Sequence, residues 1–356
     1  MKKRTILSGL ILSALAGQGM ATEETSQYIV NGNDTTVTEY PSMASLYYDA
    51  SEYTGNPEDR STGPYCGATI LDDTHVMTAA HCVVSLSDGD NYFAVVVPQL
   101  EDEEDYLNST YYRVKNFYYP DDYVQSANLL YPNDIAILEL EESMNVSSSD
   151  YVAYTDDESY RDEDNTFIAV GHGYTSTNAD ETTVLQETDL IYVSNSICEN
   201  VFGDELTDAQ ICFDGELNSA TGLKNAVCSG DSGGPVYWID GSSQTQVGVT
   251  SFGPTTCGNP NLDVTSVFTE VSDYTDWIED VLDGNETPQL SVTDQDREDY
   301  DFTEETDSEF NPRLSADPDN STTLFSSSDG GSINLFALFG GLALLGWRRR
   351  QQGKRQ

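Results

Sequence analysis

Short runs rich in Val, Ile, Leu, Tyr, Phe and Thr recur between clusters of Gly, Asn, Asp and Pro from Ile29 to about Asp283. Runs of this length, bounded by turn residues, predict β-strands. They fall at Ala68–Leu71, Tyr92–Val97, Tyr111–Tyr119, Ile135–Leu140, Thr166–Val170, Val184–Val193, Pro235–Ile239, Gln246–Phe252 and Val264–Val271. Alternation is imperfect in the sixth run, whose apolar residues are Val184, Leu185, Leu190, Ile191 and Val193. A clear helical period comes last, where Tyr274, Trp277, Ile278, Val281 and Leu282 share one face. Many strands with a terminal helix predict an all-β domain, and periodicity does not choose between barrels and a sandwich. No internal repeat occurs at solenoid spacing.

The two ends of the chain follow other patterns. Lys2-Lys3-Arg4 precedes an apolar core over Ile6–Ala16, and Gly19-Met20-Ala21 supplies a small-x-small cleavage site. Met1–Ala21 therefore reads as a secretory signal, and export makes disulfides permissible. Residues 284–329 form an acidic, Asp/Glu/Ser/Thr-rich stretch without apolar period, expected to be a linker. Gly330-Gly331 then precedes the apolar run Ile333–Trp347, interrupted only by Asn334, and Arg348-Arg349-Arg350 follows. That run is short of the roughly 20 residues of an ordinary span, and its basic flank is a positive-inside stop. Residues 330–356 resemble the GlyGly-CTERM sorting tail of Gram-negative bacteria. The resemblance implies transient inner-membrane anchoring, removal of the tail by a rhomboid-type protease, and release through the type II secretion machinery.

Charge changes the picture of partners. The chain has 62 Asp+Glu against 15 Lys+Arg. Eight bases sit at the ends, as Lys2, Lys3, Arg4, Arg348, Arg349, Arg350, Lys354 and Arg355, so the part between carries seven bases and a formal charge of −55. Such a surface repels phosphate, which argues against nucleic acid and anionic lipid. Salt screens its self-repulsion, which fits a saline extracellular medium. A mean hydropathy of −0.45 excludes a multi-span membrane protein.

All six cysteines, Cys66, Cys82, Cys198, Cys212, Cys228 and Cys257, lie in the central domain. Six allow 15 pairings, and chain order suggests neighbours. No Cys-x-x-Cys or His-x-x-x-His spacing points to zinc.

Three positions could carry chemistry. His81 stands in Thr78-Ala79-Ala80-His81-Cys82, where it is either a base or a residue packed beside a disulfide. Ser232 stands in Gly230-Asp231-Ser232-Gly233-Gly234-Pro235, either a nucleophile in a tight backbone or part of a Gly-rich turn. Asp134, in Asn133-Asp134-Ile135-Ala136, is either a partner for a histidine or a strand cap.

Taken with Ile29-Val30-Asn31-Gly32 and Val267-Phe268-Thr269-Glu270-Val271 before Trp277, these motifs resemble the chymotrypsin-fold, trypsin-like serine proteases over roughly Ile29–Leu282. The resemblance implies two six-stranded antiparallel β-barrels with a C-terminal helix, a protease domain over residues 29–283, and pairs 66–82, 198–212 and 228–257. It implies a serine endopeptidase in which Ser232 attacks, His81 moves the proton and Asp134 fixes the imidazole, this family being the worked template of that mechanism. Gly230 and Ser232 would supply the oxyanion-hole amides. Thr22–Tyr28 would be an activation propeptide, cut between Tyr28 and Ile29 so that the new amine pairs with Asp231. Tyr28 departs from the family's usual Arg or Lys. Ala226, Ser251, Gly253 and Ser266 would line the primary pocket. Ala226 stands where trypsin-like members carry Asp, which implies a neutral pocket for Tyr, Phe, Leu or Met. Protein substrates, a monomer and a secreted or cell-surface location are expected. No cofactor or metal is called for. Calcium at the acid run Glu101–Asp105 is the one candidate, and five acids in a loop equally suit a solvated face. His75 and His172 read as packing or loop residues. The competing reading is an inert homologue that serves as a binding module or adhesin.

Overall fold

The structure is a computed structural model that describes residues 29–84, 91–177 and 183–302. The expected signal over 1–21, the expected propeptide over 22–28 with Tyr28, and the expected tail over 330–356 lie outside the described residues. Among the described residues no helix is long and apolar enough to cross a membrane.

The first barrel is built from β2 (Met43–Tyr48), β3 (Cys66–Ile70), β4 (His75–Thr78), β5 (Ala94–Pro98), β6 (Tyr112–Tyr118) and β7 (Ala136–Leu140). Its strands run β6-β5-β2-β3-β4-β7, and β6 pairs with β7 to close the ring. The second contains β8 (Thr166–Gly171), β9 (Gln186–Val193), β10 (Gln210–Asp214), β11 (Pro235–Asp240), β12 (Ser243–Phe252) and β13 (Ser266–Glu270). It runs β9-β10-β13-β12-β11-β8, closed between β8 and β9. These are the two six-stranded antiparallel barrels of a chymotrypsin-like fold. Closure leaves few strand edges open to another chain.

Each barrel also takes a short seventh strand from the far end of the chain. β1 (Asn33–Asp34) pairs with β9 of the second barrel. β14 (Leu290–Ser291) pairs with β6 of the first. Strand β2 has no alternation for a sequence reading to find, because all six of its residues are buried.

The first core gathers Leu46, Ile70, Val96, Phe117, Ile137 and Leu138. The second stacks Phe213 edge-on against Phe167 and Phe268, with ring centroids 5.0 and 5.3 Å apart. Such contacts add about 0.5–1.5 kcal/mol each beyond burial. The helix over Thr275–Leu282 buries Ile278 and Val281 in the first core, as its period predicts. The cysteines pair 66–82, 198–212 and 228–257. By the chain-entropy model each loop of this size contributes about 3 kcal/mol.

One boundary differs from the sequence reading. The linker expected from residue 284 begins inside folded structure. After β14 comes a short helix, Asp294–Glu298, with both halves of a capping box between Thr293 and Asp296. Its Arg297 is fully buried, and it bonds Glu141, Asp294 and two backbone carbonyls. Breaking such a buried pair typically costs about 3–5 kcal/mol. The acidic composition around Arg297 hid this because one cation gathers the acids and carbonyls that no apolar period marks.

Candidate active site

The site lies in the seam between the barrels. His81 opens a one-turn helix, His81–Val84, directly after β4. Asp134 precedes β7 and is fully buried. Its carboxylate takes the His81 backbone N–H on Oδ1 at 2.8 Å and the His81 Nδ1 on Oδ2 at 2.7 Å. The ring is thereby fixed in direction, with Nδ1 as the nitrogen that faces the carboxylate. The Ser251 hydroxyl donates to the same Oδ2 at 2.5 Å. Thr269 donates to the Asp134 carbonyl at 2.7 Å from the second barrel. Asn133 is left-handed at φ 61°, and its side chain accepts from the Tyr274 hydroxyl at 2.7 Å. The carboxylate is thus held by residues from both barrels.

Ser232 stands in the turn that enters β11 and is buried. Its carbonyl accepts from the Gly67 amide at 2.8 Å, which ties the turn to the first barrel. A Cβ on Gly233, at φ 76°, would lie 2.1 Å from Thr78 Oγ1 and 3.1 Å from the Ala79 nitrogen. The serine turn is therefore packed against the segment that leads into His81. The Gly233 amide bonds Thr250 O at 2.9 Å, next to the Ser251 that holds Asp134. Gly230 has φ 99°, where an L side chain is strained, and a Cβ there would meet the Gly173 Cα at 2.8 Å. Neither the Gly230 nor the Ser232 amide donates to any described backbone group.

Asp231, beside the serine, points inward. Its two oxygens accept from the Gly173 and Cys228 amides, both at 2.8 Å. Burial pushes its carboxyl up to about 7 against those two bonds. Ile29 is fully buried, and its nitrogen donates to the Gly173 carbonyl at 3.4 Å. Ile29 and Asp231 therefore bond the carbonyl and the amide of one residue, Gly173.

Ala226 is fully buried among Val30, Cys228 and Cys257, and its carbonyl takes the Val30 amide at 2.9 Å. Gly253 is buried. The Ser266 hydroxyl is fully buried and accepts from the Val227 amide at 3.2 Å. Ser251 turns its hydroxyl to Asp134. Sequence reading placed Ser251 with the pocket lining and missed its bond to the carboxylate. Nor does the sequence mark a place beside the site for Thr269, Tyr274 or Tyr131. The Tyr131 ring lies 6.4 Å from the His81 ring and 6.1 Å from Phe252.

The other histidines do other work. His75 pairs with Asp72 at 2.9 Å across the turn before β4. His172 is buried and contacts the Glu101 carbonyl at 3.4 Å, and burial pushes its imidazole down to about 4. In the acid run, the Leu185 amide donates to the Glu101 carbonyl, and the Glu103 amide donates to Thr183 O, both at 2.8 Å. Cys66 and Cys82 Sγ lie within 4.8 Å of a His81 nitrogen, but both are joined in a disulfide and offer no thiolate to a metal.

This architecture places the chain in the chymotrypsin-like class. The solved structure of neuropsin, described as a serine protease expressed in the limbic system of mouse brain, shares the fold. Its TM-score is 0.57 at 21% identity, over 71% of this chain and 100% of that one. The Trypsin family model matches residues 29–278, and the chain belongs to that family of serine proteases. It is 30% identical to chymotrypsin-like elastase family member 1 of Homo sapiens, over 74% of this chain and 95% of the relative. It is 29% identical to CLIP domain-containing serine protease B4 of Anopheles gambiae, over 71% and 69%.

Proposed function

We propose that this chain is an exported serine endopeptidase. The observation that carries the reading is the His81 ring bonded to buried Asp134 at the seam where the Ser232 turn packs. A serine hydroxyl is a weak nucleophile and must lose its proton as it attacks. His81, through Nε2, takes that proton from Ser232 Oγ while Oγ bonds to the substrate carbonyl carbon. Asp134 stabilises the resulting imidazolium. The Gly230 and Ser232 amides receive the negative oxygen of the tetrahedral intermediate, where one donor is typically worth about 10²–10³ in turnover. His81 returns the proton to the leaving amine, and water releases the acyl group by the same steps in reverse.

The precursor is switched on by cleavage at Tyr28–Ile29. In the intact chain the Ile29 nitrogen is an amide against Gly173. Cleavage makes it an amine one residue from the Asp231 carboxylate, which a buried cation would complete. The pocket is neutral and favours Tyr, Phe, Leu or Met, a reading supported by the buried, apolar setting of Ala226. Such an enzyme could cut its own Tyr28–Ile29 bond. Secretion, tail removal near Gly330-Gly331, partnership with the secretion machinery and a monomeric state rest on the sequence patterns alone.

The test is hydrolysis of a protein substrate by chain bearing an Ile29 N-terminus. Ser232→Ala and His81→Ala should each abolish it. Retained hydrolysis in both would overturn the assignment, and none in the correctly processed parent would favour an inert binding module.

A further inference from the structure

The segment after the Thr275–Leu282 helix returns to the first barrel and lies along β6. Strand β6 meets β5 only through Tyr112 and Arg113, so residues beyond Arg113 present an open edge on that side. The segment fills it. Leu290 and Ser291 pair with Phe117 and Asn116, and the Gln289 and Val292 amides donate to Phe117 O and Lys115 O at 2.9 and 2.7 Å. Arg297 then spans three parts of the barrel. Its Nε donates to Tyr92 O at 2.7 Å, Nη2 to Val114 O at 2.8 Å, and Nη1 to Glu141 Oε1 at 2.5 Å. Tyr300 and Phe302 close on Phe93, with ring centroids 5.4 and 5.2 Å away.

Residues 91–93 are thus clamped from the C-terminal side, and through Asn91 they also touch the short helix that begins at His81. Asn91 is buried and donates Nδ2 to the Val83 carbonyl at 2.8 Å. Val83 lies in the helix that starts at His81. That helix has four residues, too short to hold itself, and its last carbonyls need donors from elsewhere. The Cys66–Cys82 disulfide holds one side of it, and Asn91 supplies a donor at Val83.

We propose that residues 285–302 are a positioning element of the active site, acting through Arg297 and Asn91 on the His81 helix. Its kinetic consequence rests on the serine-protease reading above, and its structural consequence does not. Arg297 fixes the Tyr92 carbonyl, this fixes the neighbouring Asn91, and Asn91 fixes the turn that carries the base. A misplacement of about 1 Å at a catalytic group can cost roughly 10²-fold.

The experiment uses the full processed protein with Arg297→Met, Asn91→Leu and the double variant. Hydrogen exchange is followed at the Cys82, Val83 and Val84 amides, and kcat and KM on a peptide substrate. Both single variants should speed exchange at these amides without changing strand β11. They should also lower kcat about tenfold or more with KM within about twofold. The double variant should be no worse than the poorer single, because both act along one route. Unchanged exchange and kcat in folded Asn91→Leu would overturn the proposal, whether or not Arg297→Met folds. A lower melting temperature in Arg297→Met with kcat intact would reduce the segment to a structural brace and also overturn it. Faster exchange at 82–84 in the variants of a parent that hydrolyses nothing would uphold the positioning and count against the protease reading instead.

Discussion

The Asp231 carboxylate occupies the space that a side chain on Gly173 would need. A Cβ there would sit 2.4 Å from the Asp231 carboxyl carbon, while the Gly173 amide donates to that same carboxylate at 2.8 Å. Gly173→Ala should therefore push Asp231 and the adjacent Ser232 out of register. A clearly lower melting temperature and loss of hydrolysis are expected. Activity near that of the parent would mean that the turn relaxes freely.

Asp231 also gives the uncleaved chain a pH signature. Its folded pKa is raised from 3.8 to about 7 by burial, so the folded state holds the proton more tightly than the unfolded chain. The stability it contributes is fully present below about pH 4 and is lost as pH rises through about 7. The difference is on the order of 4 kcal/mol for this one group. His172, lowered to about 4 by burial, adds stability over part of the same range and opposes that loss. In denaturant melts of a Ser232→Ala chain, adding Asp231→Asn should therefore make stability rise more steeply from pH 4 to 7 than in Ser232→Ala alone. An Ile29 N-terminus should do the same, because the new amine compensates the carboxylate. Parallel slopes in all three proteins would contradict the proposed pairing.

Much of this molecule is legible in the sequence. The turn glycines around Ser232 and the residues flanking His81 and Asp134 mark the site, because each must sit in a tight local backbone that few residue types allow. What is not legible comes from contacts far apart in the chain. Ser251 and Thr269 reach Asp134 across 117 and 135 residues, and nothing in their local pattern marks that contact. Strand β2 escapes because burial on both faces erases its period. The segment around Arg297 escapes because its anchors are a guanidinium and carbonyls, with few apolar residues to count.

The excess of acids should make stability salt-dependent. Among the described residues Arg113, Lys115, Arg161, Lys224 and Arg297 are all engaged in ion pairs, and the carboxylates far outnumber these cations. Added NaCl screens that repulsion. The melting temperature should rise over the sub-molar range. A flat or falling response would show that the acids are too dispersed to matter.

Buried Ala226 and the bonded Ser266 hydroxyl leave no carboxylate at the two positions proposed to line the primary pocket, and Asp263 in the nearby loop is exposed. Digestion of a peptide library should give cuts after Tyr, Phe, Leu or Met. Dominant cleavage after Lys or Arg would overturn the neutral pocket. Ala226→Asp should shift preference toward basic residues.

The central claim is that His81 and Asp134 activate Ser232. The most direct measurement is covalent labelling of the purified, processed protein with a fluorophosphonate, followed by peptide mapping. One label per chain on Ser232 is expected, lost on prior unfolding and slowed at least about 10²-fold in His81→Ala. A folded, processed protein whose Ser232 stays unlabelled, or labels equally fast without His81, would contradict it.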